Sequence, residues 1–135
     1  VTYQEIYTKL EKSPSWQHSY REIMLLGKQL PALPEPLKTE QARVKGCEST
    51  VWLHIDLDEQ QQHLLLVGDS DTRIVKGLLS IVLALYNGKT PMQALEINAY
   101  KEFEKLGLIK HLSPSRGNGI KAIVDTIQQQ VSQWA

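Results

Sequence analysis

Val51-Trp52-Leu53-His54-Ile55-Asp56-Leu57-Asp58 places an apolar residue at every second position. A period of two puts Val51, Leu53, Ile55 and Leu57 on one face, so the stretch is expected to be a half-buried β-strand. Asp58-Glu59-Gln60-Gln61-Gln62 reads as a polar turn, and His63 to Val67 returns as a second, more apolar strand. The two form an antiparallel hairpin, which Gly68-Asp69-Ser70-Asp71 ends. His54 and His63 are expected to face solvent together across it, as surface histidines and not as a metal pair.

Helical spacing surrounds the hairpin. Tyr3, Ile6, Tyr7 and Leu10 mark one face of a short helix over 2–12. Ser13-Pro14 breaks it and supplies the cap and first position of the next helix, with Trp16, Tyr20, Ile23, Met24 and Gly27 on one stripe. Three prolines between Leu30 and Pro36 rule out a helix there and imply an extended run over the core surface. Residues 37–43 are expected to be loop, with a short edge strand at 42–45. From Thr72 to Tyr86 the apolar residues cover more than one stripe, so this helix is expected to be the most buried element, capped by Ser70 or Asp71 and stopped by Asn87-Gly88. Thr90-Pro91 opens a short helix through Leu95, and Tyr100 to Leu106 makes another before Gly107. After Ser113-Pro114-Ser115-Arg116-Gly117-Asn118-Gly119, a last helix carries Ile120, Ile123, Val124, Ile127, Val131 and Trp134 on one face. This order argues an α+β fold, a small antiparallel sheet covered by helices.

The composition excludes several function classes. At 135 residues and 41% hydrophobic content, the chain has the size of one compact domain. Fifteen basic and fifteen acidic side chains cancel, so there is no long-range field to gather nucleic acid or an anionic membrane. Its longest dense apolar run, Gly77 to Tyr86, is far short of the ~20 residues that span a bilayer. The polar start at Thr2, Gln4 and Glu5 does not read as a signal peptide, so a cytoplasmic protein is expected. A single cysteine, Cys47, forms no intramolecular disulfide and cannot build a multi-thiolate metal site.

Cys47 nonetheless stands at an unusual address for a packing residue. Gly46 precedes it and Glu48, Ser49 and Thr50 follow, at a polar tip directly ahead of the first strand. That setting points to thiol chemistry. Lys45 favours the thiolate and Glu48 opposes it, so the adjacent residues do not fix the thiol pKa. Arg116, in a stretch rich in Ser, Gly and Asn, is expected in a loop and is the best candidate for a distant partner, although on the residues alone a solvated loop arginine is the favoured reading. Asp71 is accounted for as a helix cap, with a second role at the thiol as an addition. His18, His54, His63 and His111 offer bases for a cysteine-nucleophile hydrolase or acyltransferase, an alternative with no sequence signature. A plain interaction domain with an incidental cysteine is the third reading. Gly117-Asn118-Gly119 lacks the lysine of a phosphate loop.

Three motifs in order carry a family likeness. Gly46-Cys47-Glu48-Ser49-Thr50-Val51-Trp52, then Gly68-Asp69-Ser70-Asp71 leading into Ile74-Val75-Lys76-Gly77-Leu78, then His111-Leu112-Ser113-Pro114-Ser115-Arg116 with Gly119, resemble the SufE/CsdE family of sulfur acceptors. The resemblance covers nearly the whole chain. It implies one domain over 1–135 with a fold similar to the IscU-type iron–sulfur scaffolds. It implies that Cys47 takes persulfide sulfur from a pyridoxal-phosphate cysteine desulfurase of the SufS or CsdA type, stimulates that enzyme and passes sulfur on for iron–sulfur cluster assembly, with a SufBCD scaffold as one candidate recipient. On this likeness Asp71 and Arg116 support the thiol, while Gly46, Glu48, Ser49 and Trp52 meet the partner. Pyridoxal phosphate would stay on the desulfurase, and this chain would bind no cofactor and no metal. Glu48 and the run Leu26 to Pro34 look more like the CsdE branch, Asp71 and the segment His111 to Arg116 more like SufE.

Overall fold

The computed structural model describes residues 2–60 and 62–135. Gln61, in the expected turn, lies outside the described residues. Among these the fold is α+β, with six α-helices around one two-stranded antiparallel sheet.

Helix α1 (Tyr3–Glu11) buries Ile6 and Leu10, and Thr2 caps it by accepting the Glu5 N–H. Helix α2 (Trp16–Gln29) starts later than the Ser13-Pro14 signal suggests. Ser15 is its cap, accepting the His18 N–H, while the Ser13 hydroxyl oxygen accepts from Ser19 at 2.8 Å. Two serines competed for one cap, and the one that leaves Pro14 outside the helix won.

The proline segment is extended through Pro34 and then makes a 3-10 turn over Glu35–Leu37, where a helix was ruled out. Pro36 fits because the first residues of a helical turn need no N–H partner and its φ already suits them. This segment closes over the outer face of the hairpin, burying Leu33.

Strands β1 (Val51–Asp58) and β2 (His63–Ser70) pair from Val51↔Ser70 to Asp58↔His63. Gly68, Asp69 and Ser70 thus belong to β2 and do not end the hairpin. His54 and His63 share the outer face, but four register positions separate them, and His54 Nε2 lies 2.7 Å from the Leu37 carbonyl oxygen. The expected edge strand shrinks to one bridge, Arg43↔Trp52, flanked by Val44 N–H to Val51 O and Leu53 N–H to Ala42 O. On the other edge the Asn87 amide both donates to and accepts from the Leu66 backbone, standing in for a third strand.

Helix α3 (Arg73–Tyr86) is the centre of the core, with ten of fourteen residues buried. It packs on the inner sheet face and against α2. Its cap position is Thr72, not Ser70 or Asp71, and no side chain closes the cap. Helices α4 (Pro91–Glu96) and α5 (Ala99–Lys105) follow, α4 with a Thr90/Gln93 capping box. Helix α6 (Pro114–Ser132) buries Gly119, Ile120, Ile123, Ile127 and Val131. Its length is a correction: the stretch expected to be a loop forms the first turn and a half. Ser113 caps it by accepting the Arg116 N–H, and Pro114 takes the first position.

Candidate functional site

Residues 45–50 cross from the Arg43 bridge to β1 and lie against the first turns of α6. Gly46 has φ +88°, a left-handed conformation that side chains disfavour, and a Cβ there would touch the Ala122 Cβ of α6 at 3.6 Å. This turn sends Cys47 towards the helix. A Cβ built on Gly119 would lie 2.9 Å from the Cys47 Sγ, inside van der Waals contact. The bare backbone at Gly119 is therefore the notch in which the thiol rests.

Polar ties hold the loop at its descending end. The Ser115 hydroxyl donates to Glu48 Oε2 at 2.7 Å, joining the loop to α6. The Thr72 hydroxyl lies 3.1 Å from both Ser49 Oγ and Asp71 Oδ1. Thr50 is fixed on both backbone groups: its N–H donates to Asp71 Oδ1, and its carbonyl accepts from the Ser70 hydroxyl at 2.8 Å. Strand β2 and the start of α3 thus pin one side of the loop, and α6 pins the other.

Cys47 is half-buried and free. It borders a small cavity of about 20 Å³, walled by Val75, Leu78, Ile120 and Ile123 and rimmed by Arg116. This is room for roughly one water-sized atom. A broader polar cleft lies above it, lined by Glu48, Ser49, Asp71, Thr72, Ser115 and Arg116. Burial pushes the thiol pKa above its ordinary value, the Ser49 N–H pulls it back, and the Asp71 and Glu48 carboxylates add to the rise. The seated sulfur is consequently a protonated, weakly nucleophilic thiol at neutral pH.

Cys47, Glu48, Ser49, Asp71 and Arg116 meet around the two cavities. Gly46 forms the turn that aims the cysteine. Trp52 stands apart on β1, with the Lys38 ammonium 5.1 Å from its ring centre. Two expected roles change. Asp71 caps no helix and makes no ion pair with Arg116 among the described residues; it binds Thr50, because strand β2 runs on and carries it to the loop. Arg116 sits in the first turn of α6, and the groups that shift the thiol do not include it. Among the described residues no histidine lines either cavity.

Gly119 and Ser115 are the contributors that sequence reasoning passed over as site residues. The repeat of the Thr90-Pro91 pattern in Ser113-Pro114 is the signal that locates both on a helix. Size does not find this site: grooves of about 890 Å³ under the proline segment and about 930 Å³ between Arg43 and α6 hold no thiol.

Comparison with known proteins agrees with the three motifs. The family model "SufE: Fe-S metabolism associated domain" matches residues 4–131. An uncharacterised SufE-like protein of Rhizobium meliloti is 41% identical over 117 residues, 85% of this chain and 84% of that one. The sulfur acceptor protein CsdE of Escherichia coli is 37% identical over 127 residues, covering 94% and 86%. The solution structure of a hypothetical protein from Thermus thermophilus superposes with a TM-score of 0.75 over 98% of this chain and 97% of its own, at 20% identity, a likeness of fold. The chain belongs to the SufE family.

Proposed function

We propose that this protein is a sulfur carrier that accepts persulfide sulfur on Cys47 from a pyridoxal-phosphate cysteine desulfurase and passes it on for iron–sulfur cluster assembly. One observation carries the reading: the chain's single cysteine rests on a glycine-hinged loop, beside a cavity of about one atom's volume. The transfer is a thiol exchange. Cys47 loses its proton, its sulfur forms a bond to the terminal sulfur of the desulfurase persulfide, and the bond to the desulfurase sulfur breaks. That sulfur leaves as a thiolate and takes up a proton, so one neutral sulfur atom changes hands with no net oxidation.

The seated thiol is protonated and half-covered, which suits storage and not attack. For the exchange the loop must lift Cys47 from α6 towards the partner, where loss of burial restores thiolate character. Arg116, on the rim, would meet the added negative charge of a persulfide rather than shift the resting thiol. Pyridoxal phosphate remains on the desulfurase. The test is intact-mass spectrometry after incubation with a desulfurase, pyridoxal phosphate and cysteine, where Cys47 is expected to gain units of about 32 Da, one sulfur each. The reading fails if Cys47→Ser gains the same mass, or if the native protein gains none with either desulfurase type.

A further inference from the structure

The geometry points to Gly119 as the residue that sets how much of the time the reactive thiol is seated, with the Glu48–Ser115 hydrogen bond as its latch. This inference rests on the sulfur-carrier reading for its meaning, though not for its test. Gly119 lies on the buried side of α6, flanked by Ile120 and Ile123, which are 2% and 1% exposed. Among the described residues, a methyl group there meets the Cys47 Sγ at 2.9 Å and, its own helix aside, nothing else within 4 Å. Contact that close forces something to move. The helix is held by its buried isoleucines, whereas the sulfur is the end of a side chain on a loop that turns at a left-handed glycine. The thiol yields.

The polar ties make that movement local. Thr50 and Ser49 are fixed from β2 and α3, so the descending end of the loop stays in place. Across the notch, among the described residues, the Ser115–Glu48 hydrogen bond is the one that joins the loop to α6. Gly119 and Ser115 are four residues apart on one helix face, so one surface of α6 supplies both the notch and the latch. Gly119 is thus a positioning residue, acting on sulfur transfer through the Cys47 Sγ.

The test follows alkylation of Cys47 by iodoacetamide against pH in the free protein, for the native chain, Gly119→Ala and Ser115→Ala. Gly119→Ala is expected to move the profile to lower pH, and at pH 7 the thiolate fraction rises about tenfold for each unit by which the thiol pKa falls, with the rate rising somewhat less because a less basic thiolate is a weaker nucleophile. Its plateau rate at high pH is expected to rise as well, because access improves. Ser115→Ala should do the same more weakly, since it opens the latch without filling the notch. A native profile in both variants overturns the inference, as does loss of the native circular dichroism in Gly119→Ala, which would mean the helix and not the thiol gave way. Sulfur uptake from a desulfurase is measured separately: a native protein that alkylates as expected yet takes up no sulfur sinks the carrier reading alone.

Discussion

Two contacts in this molecule are built on the same device, a glycine whose missing side chain admits a neighbour, and they behave in opposite ways. Between α2 and α3, Gly27 and Gly77 face each other: a Cβ on Gly27 would lie 2.9 Å from the Gly77 backbone nitrogen, and one on Gly77 would lie 2.6 Å from Ile23 Cγ2 and run into the Ile23 carbonyl. Backbone fills both gaps. Between α6 and the Cys47 loop, the tip of a side chain fills the gap instead. Helix backbone cannot retreat without its whole helix, so the first contact fixes the core, whereas the second can empty and refill without disturbing it. A glycine in a buried helix face therefore says little until the atom opposite it is known.

The largest expected effect comes from forcing the rigid contact. Gly77→Ala must separate α2 from α3 along the interface where Ile23, Leu78 and Ile81 are fully buried. Overpacking that the backbone has to absorb is expected to lower stability by about 3 kcal/mol or more, at or beyond the top of the usual range. Urea unfolding followed by circular dichroism should show a much lower midpoint with an unchanged slope. A midpoint near native would mean that the interface is looser than its geometry.

Asp69 tests whether the frame beside the thiol loop is as firm. It is 3% exposed, accepts the Leu33 and Ser70 N–H groups and lies 3.2 Å from the Lys76 ammonium and 3.9 Å from that of Lys38. Burial alone would push its pKa up, but the Leu33 and Ser70 N–H bonds and Lys76 outweigh that and hold the carboxyl below the usual aspartate value. A lowered folded pKa gives stability that is complete above the unfolded value of about 4 and is lost as pH falls through the folded one. Asp69→Asn is expected to cost roughly 1–3 kcal/mol at pH 7, since two lysines lose a buried partner. In acid the native and variant midpoints should converge. Parallel curves from pH 7 to pH 2 would remove the charge from the account.

The hairpin was legible because its alternation repeats over eight residues and a polar turn follows. Its end was not. Gly68-Asp69-Ser70-Asp71 has the composition of a turn, yet its first three residues continue β2, where Lys38, Lys76 and the Leu33 N–H arrive from elsewhere to satisfy Asp69. No local signal carries that. The start of α6 was misread for a different reason: Gly117, Asn118 and Gly119 are poor helix formers, and their low propensity outweighed the Ser113-Pro114 cap. Cys47 stood out through its polar neighbours. Its notch did not, since Gly119 lies 72 positions along the chain and its use depends on how α6 packs.

Asp71, exposed and two residues beyond Asp69, belongs to the movable contact. Its carboxylate raises the Cys47 pKa and its Oδ1 holds Thr50. Asp71→Asn keeps the shape and an acceptor oxygen while removing the charge, so stability should stay near native. The alkylation profile of Cys47 should move to lower pH. An unmoved profile would take the Asp71 charge out of the account of the thiol, leaving burial, Glu48 and the Ser49 N–H.

The smallest expected change in stability is the most telling. Gly119→Ala replaces glycine within α6 by the best helix former, a gain of about 1 kcal/mol when nothing obstructs it. Against it stands the loss of sulfur packing in the notch and of the Glu48–Ser115 bond, a hydrogen bond of about 1 kcal/mol net. The two nearly cancel, so the urea midpoint should stay close to native while that of Gly77→Ala falls far below it. Both variants add one methyl group to a buried helical glycine, and both meet an atom inside contact distance. Only the mobility of that atom separates them. If Gly119→Ala loses as much stability as Gly77→Ala, the Cys47 loop is as fixed as the core, and the thiol has no route out of its seat.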